Sequence, residues 1–400
     1  MQFTARTYFA PNGLASLACD ARGTGASGGS FDLDGPAEIK DTSYLAGWFA
    51  ALPMVSDTEI GAFGWSLGGA AVWNAAAAGV PFKAIAVGAA WTSLAQALWP
   101  DGVPKNGLVA SFVGSVRQSN WDPASLQALR NLVAGHVTPA ATAVATARSA
   151  RPQLHTLTVP TLILQGRHDF LFDLEQAVAA YQRLAGKKAL YIGDFGHAPA
   201  ANPPAERPFY FRAVTAWFKQ YLGGGPPVPG GVELAHDPWN RTVVRFKGLP
   251  TTRAVRFTLP GTSKLAAGKF VTRSVQLSNN TLQMFGGGSI DVQYSDAGGG
   301  WTDRLVATIS LKGSAKPITE GAAPIGASSG SVRIPLLDEA VALPRNKKLV
   351  VTIGTRSANG DYEGTIPRSG GGSPQTGSGQ PITIGQIKLK LAVLRHATFH

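Results

Sequence analysis

Four hundred residues with 44% hydrophobic and 15% charged side chains describe a folded chain with room for two buried cores, which excludes a disordered polymer. The net charge of +12 is unevenly placed, with 16 Lys and Arg against 14 Asp and Glu up to Val232 and 20 against 10 from Glu233 onward. These charges are scattered and not interleaved with aromatics, so nucleic-acid binding is not expected, and no apolar run approaches the ~20 residues of a membrane span.

The chain opens at Met1 without the basic-then-apolar pattern of a signal peptide. Residues 2–9 suit a helix and residues 14–20 a strand, in which Cys19, the single cysteine, is expected as a small buried hydrophobe. Gly23-Thr24-Gly25-Ala26-Ser27-Gly28 fits the spacing of a dinucleotide fingerprint. No helix opens at once, no acidic residue ends a second strand about 20 positions on, and no Lys-Ser/Thr follows. The loop is therefore expected to be structural, and neither a cofactor nor a metal is implied. Ile39, Leu45, Trp48, Phe49 and Leu52 then share one helical face, with Pro36 and Glu38 in its first turn.

The next segment carries chemistry. A short apolar run, residues 60–63, leads into Gly64-Trp65-Ser66-Leu67-Gly68-Gly69, and an alanine-rich stretch follows from Ala70. Strand, Gly-x-Ser-x-Gly turn and helix together make a nucleophile elbow. Glycines two positions before and after Ser66 are expected to relieve crowding at the turn. Ser66 Oγ then stands above the sheet, and Leu67 N–H, the first amide of the helix, faces any oxyanion formed there.

Strand-like runs continue at residues 83–90, 159–165 and 188–192, with helical patterns at 173–184 and 206–222. This alternation predicts a parallel sheet covered by helices on both faces. Residues 94–157 interrupt it and are expected to form a helical cap insertion. Trp65, Trp91 and Trp99 are candidate pocket residues, because ligands of open α/β sheets bind at the carboxyl ends of strands.

A serine nucleophile needs a base, and the base needs an orienting acid. Asp169 follows the strand at 159–165, and His197 follows the strand at 188–192, so both fall at the sheet's carboxyl edge in the order Ser, Asp, His. Asp173 is an alternative acid that suits the start of the next helix better, and Asp194 is close in sequence to His197. His168 adjoins the acid and is poorly placed to face Ser66 as well. His136, His155, His236, His396 and His400 fall in the insertion, the later strands or the tail.

Residues 223–231, all Gly and Pro apart from Val228, read as a linker between an α/β domain at 1–222 and a second domain at 232–400. The second domain shows short alternating strands at 243–246, 269–277, 289–294, 305–311, 331–336, 348–354 and 384–394, which predicts a β-sandwich of jelly-roll type. A Gly/Ser-rich loop at 369–379 is expected to be mobile.

The stretch from Cys19 to Gly29, the Gly-Trp-Ser-Leu-Gly-Gly elbow, Leu164-Gln165-Gly166-Arg167-His168-Asp169 and Gly196-His197 resemble the X-Pro dipeptidyl-peptidase/cocaine-esterase family of serine hydrolases. The later strands, among them Arg273-Ser274-Val275-Gln276-Leu277 and Asp303-Arg304-Leu305-Val306-Ala307, resemble that family's galactose-binding-like jelly roll. The resemblance implies an α/β-hydrolase fold with a cap and a sandwich, a triad of Ser66, Asp169 and His197, and Leu67 as one oxyanion amide. It implies a small ester or peptide substrate and leaves open which. It also implies three earlier strands and a second oxyanion donor that this chain does not contain, so the expectation is an N-terminally truncated gene product. The competing class is a non-catalytic protein whose basic sandwich holds a glycan or cell-surface polymer.

Overall fold

A computed structural model describes residues 2–297, 304–363 and 381–395. Strands β1 (Gly61–Trp65), β2 (Ala84–Gly88), β3 (Thr161–Gly166) and β4 (Lys188–Gly193) lie side by side in parallel, with Gly64, Val87, Ile163 and Leu190 in register. β2 to β4 are covered on both faces and so read as nearly continuous apolar runs. Their alternation still sorts residues by face: Ile85, Val87 and Ile163 enter one core, and Ala84, Ala86, Leu162 and Leu164 enter the other.

The helices are α1 (Gln2–Thr4), α2 (Pro36–Ala50), α3 (Leu67–Ala77), α4 (Leu94–Leu98), α5 (Asn106–Gly114), α6 (Pro123–Val133), α7 (Pro139–Thr146), α8 (Leu174–Arg183) and α9 (Arg207–Gly223). Helices α3 and α8 pack on one face of the sheet, and α9 packs on the other. Residues 94–157 form α4 to α7. Proline at the first position with Asp122 and Thr138 as caps starts α6 and α7 sharply, each cap accepting an amide N–H three residues on. The apolar faces of these helices join the core shared by α3 and α8.

Two expectations are corrected here. Residues 14–20 form no strand, and Cys19 is exposed. A strand needs a neighbour for its backbone groups, and none lies beside this segment: among the described strands β1 pairs only with β2. Second, β5 (Gly231–Ala235) adds to β4 in parallel and β6 (Val243–Phe246) adds antiparallel to β5, so both extend the first sheet to six strands. The open edge of β4 offered backbone partners, and Val232, Leu234 and Ala235 found cores to enter. The sandwich therefore starts near Thr252, not at Val232.

From there the strands are β7 (Thr252–Leu259), β8 (Ser263–Leu265), β9 (Val271–Gln276), β10 (Leu282–Ser295), β11 (Arg304–Leu311), β12 (Pro317–Pro324), β13 (Gly330–Glu339), β14 (Ala342–Leu343), β15 (Lys348–Gly354) and β16 (Ile382–Leu394). One sheet runs β13-β10-β16-β7 and the other β12-β11-β15-β9, every pair antiparallel. Alternate side chains such as Ile290, Leu389 and Leu391 meet Ile309, Val351 and Ile353 between the sheets. The loop at 369–379, His396 and His400 lie outside the described residues. The end of β13 sets the sandwich against the first sheet, where Ala340 N–H donates to Arg167 O at 2.7 Å.

Candidate active site

Ser66 joins β1 to α3 with φ 55° and ψ −122°, a conformation that costs a non-glycine residue roughly 1–3 kcal/mol and lifts its side chain off the sheet. The turn is tight because a Cβ at Gly64 would stand 1.8 Å from Gly68 O. Gly68, by contrast, has open space where a Cβ would be, which corrects the expectation that it relieves crowding. Gly69 is the close approach: a Cβ there would meet Ala90 Cβ at 2.7 Å, so it lets α3 settle onto β2. Leu67 N–H, at the start of α3, has no acceptor among the described residues.

The loops after β3 and β4 bring Asp169 and His197 to Ser66. Ser66 Oγ lies 2.7 Å from His197 Nε2, and His197 Nδ1 lies 2.9 Å from Asp169 Oδ2. Asp169 is fully buried. Its Oδ2 also accepts His197 N–H at 3.0 Å, while Oδ1 accepts Leu171 N–H at 3.1 Å and Phe172 N–H at 3.0 Å. Four donors on one carboxylate suit an anion. They assign the proton of His197 to Nδ1 and leave the Nε2 lone pair toward the serine hydroxyl. Gly196, with φ 126°, permits the approach, since a Cβ there would stand 2.5 Å from Asp169 Oδ2. The Phe172 ring meets the His197 ring edge to face at 5.0 Å, and Gln165 Nε2 holds Phe172 O at 2.7 Å.

The other candidates lie elsewhere. Asp173 precedes α8, and its Oδ2 accepts Asp338 N–H at 3.0 Å. Burial, with Asp338 nearby, pushes its carboxyl up to about 8. Asp194 accepts Ala201 N–H. His168 is buried at the sandwich junction, where desolvation, with Lys316 adding, holds it down at about 4 and therefore neutral. His136 and His155 are exposed, and His236 bonds Pro238 O.

Trp91 and Trp99 are buried, and Trp65 is partly buried. Trp65 faces α9, with its ring 4.9 Å from Phe195 and 5.5 Å from Tyr210. Trp91 is 1% exposed, donates Nε1–H to Arg148 O at 2.7 Å, and packs behind Phe172 at 5.1 Å. Trp99 is buried in the core of the insertion. Phe172 is the aromatic that reaches the histidine. Its position three residues after Asp169 carried no signal that separated it from the neighbouring Phe170.

The glycine loop closes on itself, with Gly23 N–H on Gly28 O and Asp20 Oδ2 accepting Ala26 N–H at 3.0 Å. Asp20 fills the space where a side chain at Gly25 would stand. Among the described residues no group of three or more His, Cys, Asp or Glu could hold a metal ion, and no helix is long and apolar enough to cross a membrane.

Residues 1–199 match the model of the X-Pro dipeptidyl-peptidase (S15) family. Among solved structures, a CocE/NonD family hydrolase from Staphylococcus aureus superposes with a TM-score of 0.67 at 13% identity, covering 94% of this chain and 79% of that one. An aminopeptidase from a marine sediment archaeon (Thaumarchaeota archaeon) superposes at 0.64 with 13% identity, covering 94% and 84%. An α-amino acid ester hydrolase does so at 0.64 with 14% identity and the same two coverages. At such identities the likeness is one of fold. No curated protein matches the sequence.

Proposed function

From the premise that the chain belongs to the X-Pro dipeptidyl-peptidase (S15) family of serine hydrolases, we propose that it hydrolyses an ester or amide through an acyl-enzyme on Ser66. The supporting observation is the run of short contacts from Ser66 Oγ through His197 to Asp169, at 2.7 and 2.9 Å. His197 Nε2 takes the hydroxyl proton as Oγ bonds to the substrate carbonyl carbon, and the carbonyl electron pair moves to oxygen. Leu67 N–H donates to that oxyanion. Collapse restores the carbonyl and expels the alcohol or amine, which leaves with the proton from His197. Water, deprotonated by His197, then attacks the acyl carbon, and Ser66 Oγ departs and regains its proton. Asp169 keeps the imidazole in the required tautomer and balances its charge while it holds two protons.

The family and the fold neighbours include peptide and ester hydrolases, so both substrate classes enter the test. Fluorophosphonate labelling of the full-length protein is expected to depend on Ser66 and to vanish in Ser66→Ala. Hydrolysis of a short-chain aryl ester beside an X-Pro chromogenic amide then assigns the class. A folded full-length chain that takes no label and cleaves neither compound would refute the proposal and favour a glycan-binding role for the sandwich.

A further inference from the structure

β3 ends at Gly166, and Arg167 N–H still donates to Gly193 O of β4 at 2.7 Å, but the Asp169 amide two residues on has left the ladder that would satisfy it. Asp169 N–H finds its acceptor in the other domain: Glu339 Oε2, at the end of β13, lies 3.1 Å away. Glu339 is fully buried, and its Oε1 has no partner among the described residues. Burial, with Asp173 and Asp169 nearby, raises its carboxyl well above the usual range. A buried carboxyl with one unpaired oxygen is a poor way to hold two domains together. The docking contacts beside it are backbone donors, Ala340 N–H to Arg167 O and Asp338 N–H to Asp173 Oδ2. Buried Lys105 holds the same loop, its Nζ donating to Phe170 O at 2.7 Å and Leu171 O at 3.1 Å.

We propose that Glu339 is a positioning residue of the hydrolytic site: the sandwich uses it to fix the Asp169 backbone, and through Asp169 the ring of His197. This rests on the assignment of Ser66, His197 and Asp169 given above. With four donors on its carboxylate and Glu339 on its amide, Asp169 is pinned at both ends. Without Glu339 the amide side is free to shift, and a displacement near 1 Å at such a site costs on the order of 100-fold in rate.

The test compares Glu339→Leu and Glu339→Gln in the full chain. Gln keeps an acceptor oxygen of the same reach; Leu removes it while leaving the backbone docking contacts in place. Leu is expected to lower kcat for an aryl ester by about 10- to 100-fold with KM within about 2-fold, and Gln to restore kcat to within about 3-fold of wild type. If Leu does not fold, Glu339→Asp, one methylene short of Asp169, takes its place with the same expectation. A folded Leu or Asp variant at wild-type kcat, or a Gln variant as slow as Leu, would overturn the proposal. Fluorophosphonate labelling of the wild type tests the hydrolase assignment separately. If that fails, the positioning role is read from the downfield proton resonance of His197 Nδ1, assigned with Asp169→Asn. The resonance is expected to persist in Gln and to vanish in Leu or Asp, and its persistence in Leu would refute the role.

Discussion

Gly196 tests how closely the acid and base loops depend on each other. Its φ of 126° lies where L side chains rarely sit, and a Cβ there would stand 2.5 Å from Asp169 Oδ2, the atom that accepts from both His197 N–H and Nδ1. An ordinary contact begins near 3.4 Å, so in Gly196→Ala the two loops must part by about 1 Å or the backbone must turn. The backbone strain costs about 1–3 kcal/mol, which in a domain of this size lowers Tm by a few degrees. The parting of the loops costs more in rate. A 1 Å error in the Asp169–His197 contact corresponds to about a 100-fold loss in kcat/KM, or about 2.7 kcal/mol of transition-state stabilisation. Steady-state hydrolysis of an aryl ester beside thermal unfolding by circular dichroism separates the two effects. A folded Gly196→Ala protein with wild-type kcat/KM would refute the argument that this glycine sets the approach of acid to base.

Ser66→Ala is expected to abolish phosphonate labelling and to lower kcat by about 10⁶-fold with the fold intact, as measured by labelling and circular dichroism. Asp169→Asn keeps the size but presents an N–H or a weaker acceptor to Nδ1, and kcat is expected to drop by about 10⁴-fold at little change in KM. Gly64→Ala places a methyl 1.8 Å from Gly68 O, where backbone and not a flexible side chain must move, so soluble expression or Tm falls sharply. His168, held down at about 4 by burial, binds its proton in the unfolded chain near 6.5 but not in the folded one. Stability is therefore fully present above about pH 6.5 and is lost as pH falls toward 4, by at most about 3 kcal/mol. Thermal melts across that window are expected to show this slope in wild type and a flatter one in His168→Phe.

The elements that were legible in the sequence are those whose signals are local. The apolar runs of β2, β3 and β4 are continuous because both faces are covered, and Gly64 is demanded by the turn's own backbone at Gly68 O. The addresses of Ser66, Asp169 and His197, each just past a strand's carboxyl end, follow from chain order alone. Where signals were not local, the sequence pointed elsewhere. Residues 14–20 have a strand's composition, yet strand formation depends on a neighbouring backbone, and none is beside them. Trp65 has the right address for a pocket, but the pleat turned its ring toward α9.

By itself the sequence determined the order of a helix-covered parallel sheet followed by antiparallel strands, and the strand, turn and helix around Ser66, since periodicity and steric demand at a turn act within a few residues. Only the tertiary structure decided that β5 and β6 belong to the first sheet, that Phe172 and not a tryptophan meets His197, and that Asp169 N–H is satisfied by Glu339 from another domain. Those outcomes depend on which open backbone group meets which distant partner. That is a matter of three-dimensional proximity between segments up to 170 residues apart, and no local pattern encodes it.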